Sequence, residues 1–389
     1  MGGGRYVYIL AKREVGSRSC VIILFFIVIF LLVACQRNEQ TSPLPPAKDG
    51  VDMEKDVNGN RDFSIEPLDV EAGSFHSIGG WLNDETIFYI TDSSTGSNVY
   101  THHLNNGDKK LLFEGNSPIV STLVSPSREY LLIHSAPSSN EASLTIINKD
   151  GEKIMEENLP SSELNIQWNP YDEAFILITA FTVDWDFAVW NLNLDNHTLS
   201  QVALPQPFAY WTERQKLLYL NWDLDSPSLD ADLVAYDLQT GESNELLSDV
   251  LQISTYRDLI VVVKVDELDE KKSEYLFLTN EFDGDFSFSA PHLSSYSEWV
   301  VPFSDYNRKT DSFLTYQPLY SVEADVYNEG FQLVRYHLDT GEKEIMMEDM
   351  ENTPIACSPN GSKCLTGFYY EKLIDLENKK VHSLVESEQ

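Results

Sequence analysis

Acidic residues and two tryptophans recur at comparable places along the chain, and these side chains have the types and spacing that binding chemistry requires. They form the segments Asp184-Trp185-Asp186, Trp222-Asp223-Leu224-Asp225 with Asp230-Ala231-Asp232, and Asp266-Glu267 with Asp269-Glu270. Clustered carboxylate oxygens suit Ca²⁺, and aromatic rings suit ammonium groups. One interpretation is a cation or basic-ligand rim made of Asp184, Asp186, Asp223, Asp225, Asp230 and Asp232. The other, which we favour from the sequence, is a set of solvated acidic loops that keep the protein soluble.

No recognisable catalytic set accompanies these carboxylates. The sequence lacks a Gly-x-Ser-x-Gly nucleophile motif, a His-Glu-x-x-His zinc motif and the glycine-rich loops that bind phosphates or dinucleotides. His102 and His103 are adjacent in a predicted strand, so they point to opposite sides and do not share a metal. His134 ends an apolar run and is interpreted as a packed or capping side chain, not as a metal ligand. We therefore predict no catalytic residue and no cofactor, with calcium as the one ion that the acidic pattern suggests.

The overall charge excludes one large class of partner. Among 389 residues, 27 are Lys or Arg and 62 are Asp or Glu, which gives a formal net charge of −35. Such a surface repels phosphate backbones and anionic lipids, so nucleic acid is not an expected ligand. Hydrophobic residues make up 42 % of the chain, which is enough for a sizeable core.

The first 35 residues have the pattern of an export signal. Arg5, Lys12, Arg13 and Arg18 precede an apolar run over residues 20–34, which is shorter than the roughly 20 residues of a permanent span. The run ends in Leu32-Val33-Ala34-Cys35, which resembles a bacterial lipobox. That resemblance implies cleavage of residues 1–34 and a diacylglycerol on Cys35. The alternative is an uncleaved N-terminal anchor, and both interpretations place the remaining chain outside the membrane.

The segment after the signal is predicted to be a tether. Residues 35–62 are mostly polar and contain Pro43, Pro45 and Pro46, a composition typical of a flexible linker. The sequence thus predicts a lipid-anchored protein on the extracytoplasmic side of the cell membrane, with its folded domain in residues 63–389.

Two cysteines remain beyond the signal and the tether. Cys357 and Cys364 flank Ser-Pro-Asn-Gly-Ser-Lys, a turn sequence, and could face each other across a hairpin in an oxidising compartment. The sequence leaves two alternatives open, a disulfide between them or a pair of free thiols buried in adjacent strands.

The rest of the chain repeats one unit. Alternating apolar runs are separated by two-residue turns, at Asn106-Gly107, Asp150-Gly151, Asp195-Asn196, Thr240-Gly241, Asp283-Gly284, Thr340-Gly341 and Glu377-Asn378. A second hairpin precedes each turn, so each unit contains four strands and the period is about 45 residues. The sixth unit is longer because of an insertion between about 317 and 330.

Four-stranded units at this period predict an all-β protein built as a single β-propeller of antiparallel blades. The units cover residues 75–115, 117–158, 162–204, 207–249, 251–290, 296–349 and 352–387. The expected number of blades is therefore seven, or six if one unit is misassigned, and an open array of separate sheets is the other alternative. Loops between the second and third strands of each blade emerge on one face, which would bring the acidic segments together.

Two features resemble known propeller families. The turn Ser358-Pro359-Asn360-Gly361 is similar to the first hairpin of blades in TolB-type propellers. The lipobox and the segment over residues 78–90 together resemble YqgU-like propeller lipoproteins of Gram-positive bacteria. This second resemblance implies a six-bladed scaffold with no assigned activity, and Cys35 is the only functional residue that it transfers.

Three functions fit these features. The first, which we favour, is a membrane-anchored binding or scaffolding module for an envelope protein, a peptide or a wall glycan. The second is a metal-dependent propeller hydrolase or lactonase, which needs acids and histidines to converge on the central channel. The third is a sensor that regulates a membrane signalling protein.

Overall fold

Strands and short turns make up nearly all of the chain that can be described. The computed structural model describes residues 65–385, apart from 224, 225, 227, 285 and 296–298. The predicted signal, the lipidation site at Cys35, the tether and Asp225 therefore lie outside the described residues. The described residues belong to one unit, Asp62–Gln389.

The first three sheets each contain four consecutive antiparallel strands. The first comprises β1 (Phe75–Trp81), β2 (Thr86–Asp92), β3 (Ser97–His103) and β4 (Lys109–Glu114). The second comprises β5 (Ile119–Val124), β6 (Tyr130–Ser138), β7 (Glu141–Asn148) and β8 (Lys153–Pro160). The third comprises β9 (Glu163–Trp168), β10 (Phe175–Phe181), β11 (Phe187–Asn193) and β12 (Thr198–Val202).

The next seven strands form one continuous antiparallel sheet. They are β13 (Ala209–Glu213), β14 (Lys216–Asn221), β15 (Ala231–Asp237), β16 (Ser243–Tyr256), β17 (Leu259–Val265), β18 (Lys272–Leu278) and β19 (Phe286–Pro291). The long strand β16 pairs with β15 through its first half and with β17 through residues 250–256. Asp249, where the two halves of β16 join, has a left-handed backbone with φ of +58°. Strand β16 also contacts β13, as β5 contacts β1.

The remaining strands complete the domain. They are β20 (Leu293–Ser294), β21 (Trp299–Val300), β22 (Ser304–Asn307), β23 (Ser312–Gln317), β24 (Val322–Glu323), β25 (Phe331–His337), β26 (Lys343–Met350), β27 (Ile355–Cys357), β28 (Lys363–Thr366), β29 (Lys372–Asp375) and β30 (Lys380–Ser383). Strands β22, β23, β25 and β26 form one four-stranded sheet, and β27 to β30 form another. The predicted insertion lies between β23 and β25, and it contributes β24 and a 3₁₀ turn at Ala324–Val326.

Alternation of apolar and polar residues explains the strands, and left-handed residues explain the turns. In β18, Ser273, Tyr275 and Phe277 are buried while the residues between them are partly exposed. The predicted turn glycines Gly107 and Gly241 have φ of +72° and +73°, values that cost a glycine little. The expectation of an all-β propeller of four-stranded antiparallel sheets is confirmed.

Apolar side chains fill the space between neighbouring sheets. One cluster joins Leu132 and Ile146 of the second sheet to Trp168 and Ile178 of the third. Burial of such side chains, at roughly 25 cal/mol per Å² of apolar surface, is the main force that holds the sheets face to face.

The two ends of the domain meet at the seam between the first and last sheets. The Leu68 amide donates to the Leu384 carbonyl at 2.7 Å, and Trp81 Nε1 donates to the Ala356 carbonyl at 2.8 Å. Trp81, Leu68 and Leu384 belong to one buried cluster. The ring of sheets is therefore closed by side-chain packing and by these hydrogen bonds.

Candidate functional site

The strand order sorts the connections onto two opposite faces. In an antiparallel meander successive turns alternate between the two ends of the sheet. We call one end the acidic face, defined by loops 182–186, 203–208, 222–230 and 266–271. We call the other end the arginine face, defined by turns 125–129, 214–215, 257–258 and 308–311.

The predicted acidic residues that the structure describes lie on or next to the acidic face, but the structure does not gather them into a metal site. Asp184 and Asp186 lie between β10 and β11, and Asp223 and Asp230 lie between β14 and β15. Asp232 lies in β15 and pairs with Asn221 of β14. Among the described residues, no three side chains of Asp, Glu, His or Cys come together in a way that could hold a metal ion. Calcium therefore has no assembled site within that part of the chain.

Aromatic rings connect two of these loops. Trp185 lies edge-on to Phe181 with ring centroids 5.8 Å apart, and Phe181 contacts Phe208 of the next connection at 5.7 Å. Trp185 is 67 % exposed and has a left-handed backbone with φ of +65°. A bulky residue rarely adopts this conformation. The loop thus holds an indole ring in solvent at a conformational cost.

An apolar groove continues the aromatic row across the next sheet. Its volume is about 350 Å³, and its walls include Phe208, Tyr210, Leu220, Trp222 and Ile253. The Gln206 side chain donates to the Trp222 carbonyl at 2.9 Å and so fixes one wall. Trp185, Phe181, Phe208, Tyr210 and Trp222 form the feature that we call the aromatic strip.

Charge surrounds the aromatic strip asymmetrically. The loops 182–186, 203–208 and 222–230 contain several aspartates and no Lys, Arg or His. The neighbouring loop exposes Leu268 by 98 % beside Asp266. Hydrogen bonds from the Ser289 hydroxyl and the Leu268 amide lower the pKa of Asp266, so this carboxylate is ionised at neutral pH. The acidic face therefore combines exposed apolar groups with unbalanced negative charge.

Sequence reasoning found the two tryptophans but missed the residues that join them. Phe181 ends a strand, and Phe208 follows Pro205 and Pro207 in a connection between sheets. The Thr179 hydroxyl donates to the Pro207 carbonyl at 2.7 Å and holds that connection against β10. The proline-rich segment just before a strand was the one available signal for this contact.

The arginine face has a different charge pattern. Four of the five arginines in residues 65–385 lie in its turns, namely Arg128, Arg214, Arg257 and Arg308. Arg214 pairs with Asp172 at 2.5 Å, and Arg308 pairs with Asp258 at 2.6 Å. The two faces of one molecule thus present different chemistry.

The cysteines and the buried histidines lie apart from the acidic face. Cys357 and Cys364 are cross-strand neighbours in β27 and β28, and they form a disulfide. His134 is 4 % exposed, and burial lowers its pKa from 6.5 to about 4. His102 is also buried and hydrogen-bonds to the Glu66 carbonyl at 2.8 Å. Both histidines are packed side chains, as the sequence predicted for His134.

A helix long and apolar enough for a membrane span does not occur in the described portion of the chain.

The fold defines a β-propeller domain whose two faces differ in charge and in exposed aromatic side chains. The model of the family described as "YqgU-like 6-bladed beta propeller domain" matches residues 103–367, and the chain belongs to this family. The resemblance to YqgU-like propellers seen in the sequence is thereby confirmed. The family description counts six blades, whereas the sequence predicted seven.

Relatives and solved structures agree with this assignment. The chain is 24 % identical over 370 residues to the "Uncharacterized lipoprotein YqgU" of Bacillus subtilis (strain 168), with 95 % of this chain and 97 % of the relative aligned. An uncharacterized protein of Listeria monocytogenes EGD-e, lmo1340, is similar in structure, with a TM-score of 0.77 and 21 % identity over 83 % of this chain and 98 % of that one.

A more distant propeller shares the architecture. The β-propeller domain of the Trilobed protease from Pyrococcus furiosus, described as having an open velcro topology, gives a TM-score of 0.53 with 11 % identity. The match covers 80 % of this chain and 98 % of that chain. At such identities, the solved structures establish the fold alone.

Proposed function

We propose that the protein is a membrane-anchored lipoprotein whose propeller binds a basic segment of an envelope protein through the acidic face. The observation that carries this proposal is the aromatic strip, in which Trp185 and Phe208 are exposed while the adjoining loops contain aspartates and no basic residue. Acidic loops alone would equally suit a solvated surface, whereas exposed large apolar side chains grouped on one face are typical of an interaction site.

The chemistry of the strip favours a polypeptide that carries both positive charge and an apolar side chain. Lysine or arginine ammonium and guanidinium groups are attracted to Asp184 and Asp186, and they can also stack on the exposed Trp185 ring. The groove between Phe208 and Trp222 has room for one large apolar side chain. Aromatic residues of this kind supply much of the binding energy at protein interfaces.

Anchoring through Cys35 is supported by two features. The lipobox at residues 32–35 places a cysteine directly after a small residue, and the Bacillus subtilis relative is itself called a lipoprotein. In this proposal the tether of residues 35–62 holds the propeller away from the membrane on the extracytoplasmic side. The acidic face is then free to reach a partner in the envelope.

Seven blades form part of the same proposal. The strands group into β1–β4, β5–β8, β9–β12, β13 to β16, β16 to β19, the four-stranded sheet of β22, β23, β25 and β26, and β27–β30. Counting β16 twice gives seven groups, and merging the two groups that share β16 gives six. The contact between β13 and β16, where Tyr210 packs against the cluster that contains Val250 and Ile253, supports the larger count.

Site-specific photocrosslinking in the native host tests the docking role. A photoreactive phenylalanine analogue replaces Phe208 or Trp185 in the full-length protein, and the crosslinked product is identified by mass spectrometry. We expect one protein to be captured reproducibly from both positions, with a basic segment at the crosslinked site.

The matched control places the same analogue at Leu111, which is also exposed but lies in the outer strand β4. Leu111 should give no such product. Capture of a wall glycan or an acidic protein at Phe208, or equal products from all three positions, would contradict the proposal.

A further inference from the structure

A cavity lies at the arginine face, on the opposite side of the propeller from the aromatic strip. Its volume is about 620 Å³, and its walls come from three separate sheets. Arg128 belongs to the turn between β5 and β6, Asp305 and Lys309 come from β22 and the turn after it, and Pro359 follows β27. Because β5, β22 and β27 are the first strands of their sheets, the cavity lies at the mouth of the central channel.

Positive charge dominates the walls of this cavity. Arg128, Arg308 and Lys309 line it together with a single carboxylate, Asp305. Arg308 is paired with Asp258, whereas the side chains of Arg128 and Lys309 make no hydrogen bond or ion pair with another described residue. In a protein of net charge −35 this local excess of cations is unusual.

Asp305 does not neutralise these cations by direct pairing. Its two carboxylate oxygens accept hydrogen bonds from the backbone amides of Cys357 and Tyr306, at 2.7 and 2.9 Å. Asn307 ties the same turn to the next sheet through hydrogen bonds to the carbonyls of Ser358 and Pro359, both at 3.1 Å. The walls of the cavity are therefore braced before any ligand arrives.

The backbone at Arg128 gives an independent indication. The turn Ser125-Pro126-Ser127-Arg128 has the same hydrogen bond as Ser358-Pro359-Asn360-Gly361, from the fourth residue's amide to the first residue's carbonyl. Arg128 has φ of +64° where the other turn has a glycine at +72°. A branched or long side chain at such a position is conformationally unfavourable. The arginine thus presents its guanidinium at the channel mouth in a place better suited to glycine.

We infer that this cavity binds an oxyanion, the phosphate or carboxylate group of a small molecule, between Arg128 and Lys309. A guanidinium matches the two oxygens of either group with paired N–H donors, and a lysine ammonium adds a point charge. The acidity of the whole protein repels polyanions, so the ligand carries one or two charges. This site is independent of the docking role proposed for the acidic face.

Titration calorimetry on the purified full-length protein tests the inference, with inorganic phosphate and sodium acetate as separate probes and sodium chloride as the ionic-strength control. We expect at least one oxyanion to bind, and its affinity to fall at least about tenfold in Arg128→Gly and several-fold in Lys309→Ala. Binding of phosphate alone identifies a phosphate group, and binding of acetate alone identifies a carboxylate.

Arg214→Ala is the matched control, because Arg214 lies on the same face in another turn and outside the cavity. It should bind like the wild type. Melting temperatures of all variants show whether each one is folded. The inference is overturned if neither probe binds the wild type more than chloride does, or if a folded Arg128→Gly binds as tightly as the wild type.

Discussion

Arg128 and Gly361 occupy the same position in two copies of one turn, and both have a left-handed backbone. The Arg128 amide donates to the Ser125 carbonyl at 2.9 Å, and the Gly361 amide donates to the Ser358 carbonyl at 2.8 Å. A glycine adopts this conformation without a steric penalty, whereas an arginine adopts it at a steric cost. The turn itself therefore does not require an arginine at this position, so the arginine is there for the cavity.

Replacing Arg128 with glycine is expected to leave the free energy of unfolding unchanged or to raise it by up to about 1 kcal/mol. The substitution removes the left-handed strain, and the greater flexibility of glycine in the unfolded chain offsets part of the gain. Guanidinium denaturation of wild type and Arg128→Gly measures the difference.

The reciprocal substitution, Gly361→Ala, should lower stability by about 1 to 2 kcal/mol because it adds a methyl group at positive φ. That group would also lie 3.1 Å from the side chain of Asn307. A large loss of stability in Arg128→Gly would show that the guanidinium holds the fold together instead of serving the cavity.

Asp305 should make oxyanion binding depend on pH. Burial raises its pKa to about 6, against the opposing effect of hydrogen bonds from the Cys357 and Tyr306 amides and of the Arg128 charge. Burial raises the pKa of the neighbouring Tyr256 and Tyr370, and the Asp305 charge raises both further. Above pH 6 this carboxylate repels an anion, and below pH 6 it is protonated and neutral.

Affinity for sulfate, whose charge is constant over this range, is therefore expected to increase as the pH falls from 7 to 5. Calorimetry at several pH values measures this trend in wild type and in Asp305→Asn. The asparagine variant should bind sulfate with little pH dependence around pH 6. If the sulfate affinity of folded Asp305→Asn increases as much as that of the wild type, the pH dependence comes from another group.

Burial of His134 should make the fold sensitive to acid. The folded-state pKa is about 4, against 6.5 for an exposed histidine, so the unfolded chain takes up this proton first as the pH falls. Stability should therefore decline between pH 6.5 and 4, by up to about 3 kcal/mol from this residue alone. Its ring contacts the Ser121 hydroxyl at 3.3 Å, and Glu141 and Glu163 line the adjoining cavity.

Denaturation curves at pH 7 and pH 5 measure this contribution. His134→Gln should lose less stability between the two pH values than the wild type does. His197→Asn, at an exposed turn where asparagine also tolerates a left-handed backbone, should retain the wild-type difference. If both variants behave like the wild type, the acid sensitivity does not come from His134.

Local sequence patterns predicted the strands of each blade, but they did not predict the contacts between blades. Turn pairs such as Asn106-Gly107 and Thr340-Gly341 mark hairpins because glycine tolerates φ above zero, and Gly341 indeed has φ of +71°. Alternation then located the strands to within a few residues. Turns and strands depend mainly on residues that are neighbours in the sequence, so they can be predicted from it directly.

The candidate sites depend on ring geometry, which no local pattern encodes. The contact of the Asp305 carboxylate with the Cys357 amide spans 52 residues, and Phe181 meets Phe208 across a boundary between two sheets. The long strand β16 was also concealed, because its two halves read as the last and first strands of separate units. Asp184 and Asp223 lie in loops at the same end of their sheets, because strand order alone determines which end a loop occupies.

The disulfide should stabilise the last sheet by a modest amount. Cys357 and Cys364 are seven residues apart, and closing so short a loop in the unfolded chain contributes about 2 kcal/mol. A phosphine reductant should therefore lower the free energy of unfolding of the wild type by roughly that amount. The double variant Cys357→Ser/Cys364→Ser should not respond to the reductant, and an equal response would place the effect elsewhere.

The aromatic strip should discriminate between peptides by charge. A synthetic peptide of alternating lysine and leucine is expected to bind the full-length protein, and the matched glutamate–leucine peptide is not. The apolar residues are the same in both, so the difference isolates the attraction to Asp184 and Asp186. Fluorescence polarisation should show the lysine peptide binding more weakly as salt rises, because exposed charges are screened.

Substitution separates the aromatic contribution from the electrostatic one. Trp185→Asn should weaken binding of the lysine peptide by about fivefold to tenfold, since one cation–π contact contributes about 1 kcal/mol at an exposed site. Asparagine tolerates the left-handed backbone there, so the loop retains its shape. Leu111→Asn removes another exposed apolar side chain, from β4, and should leave binding unchanged. If the glutamate peptide binds equally well, or if both variants lose the same affinity, the peptide binds nonspecifically and not through the aromatic strip.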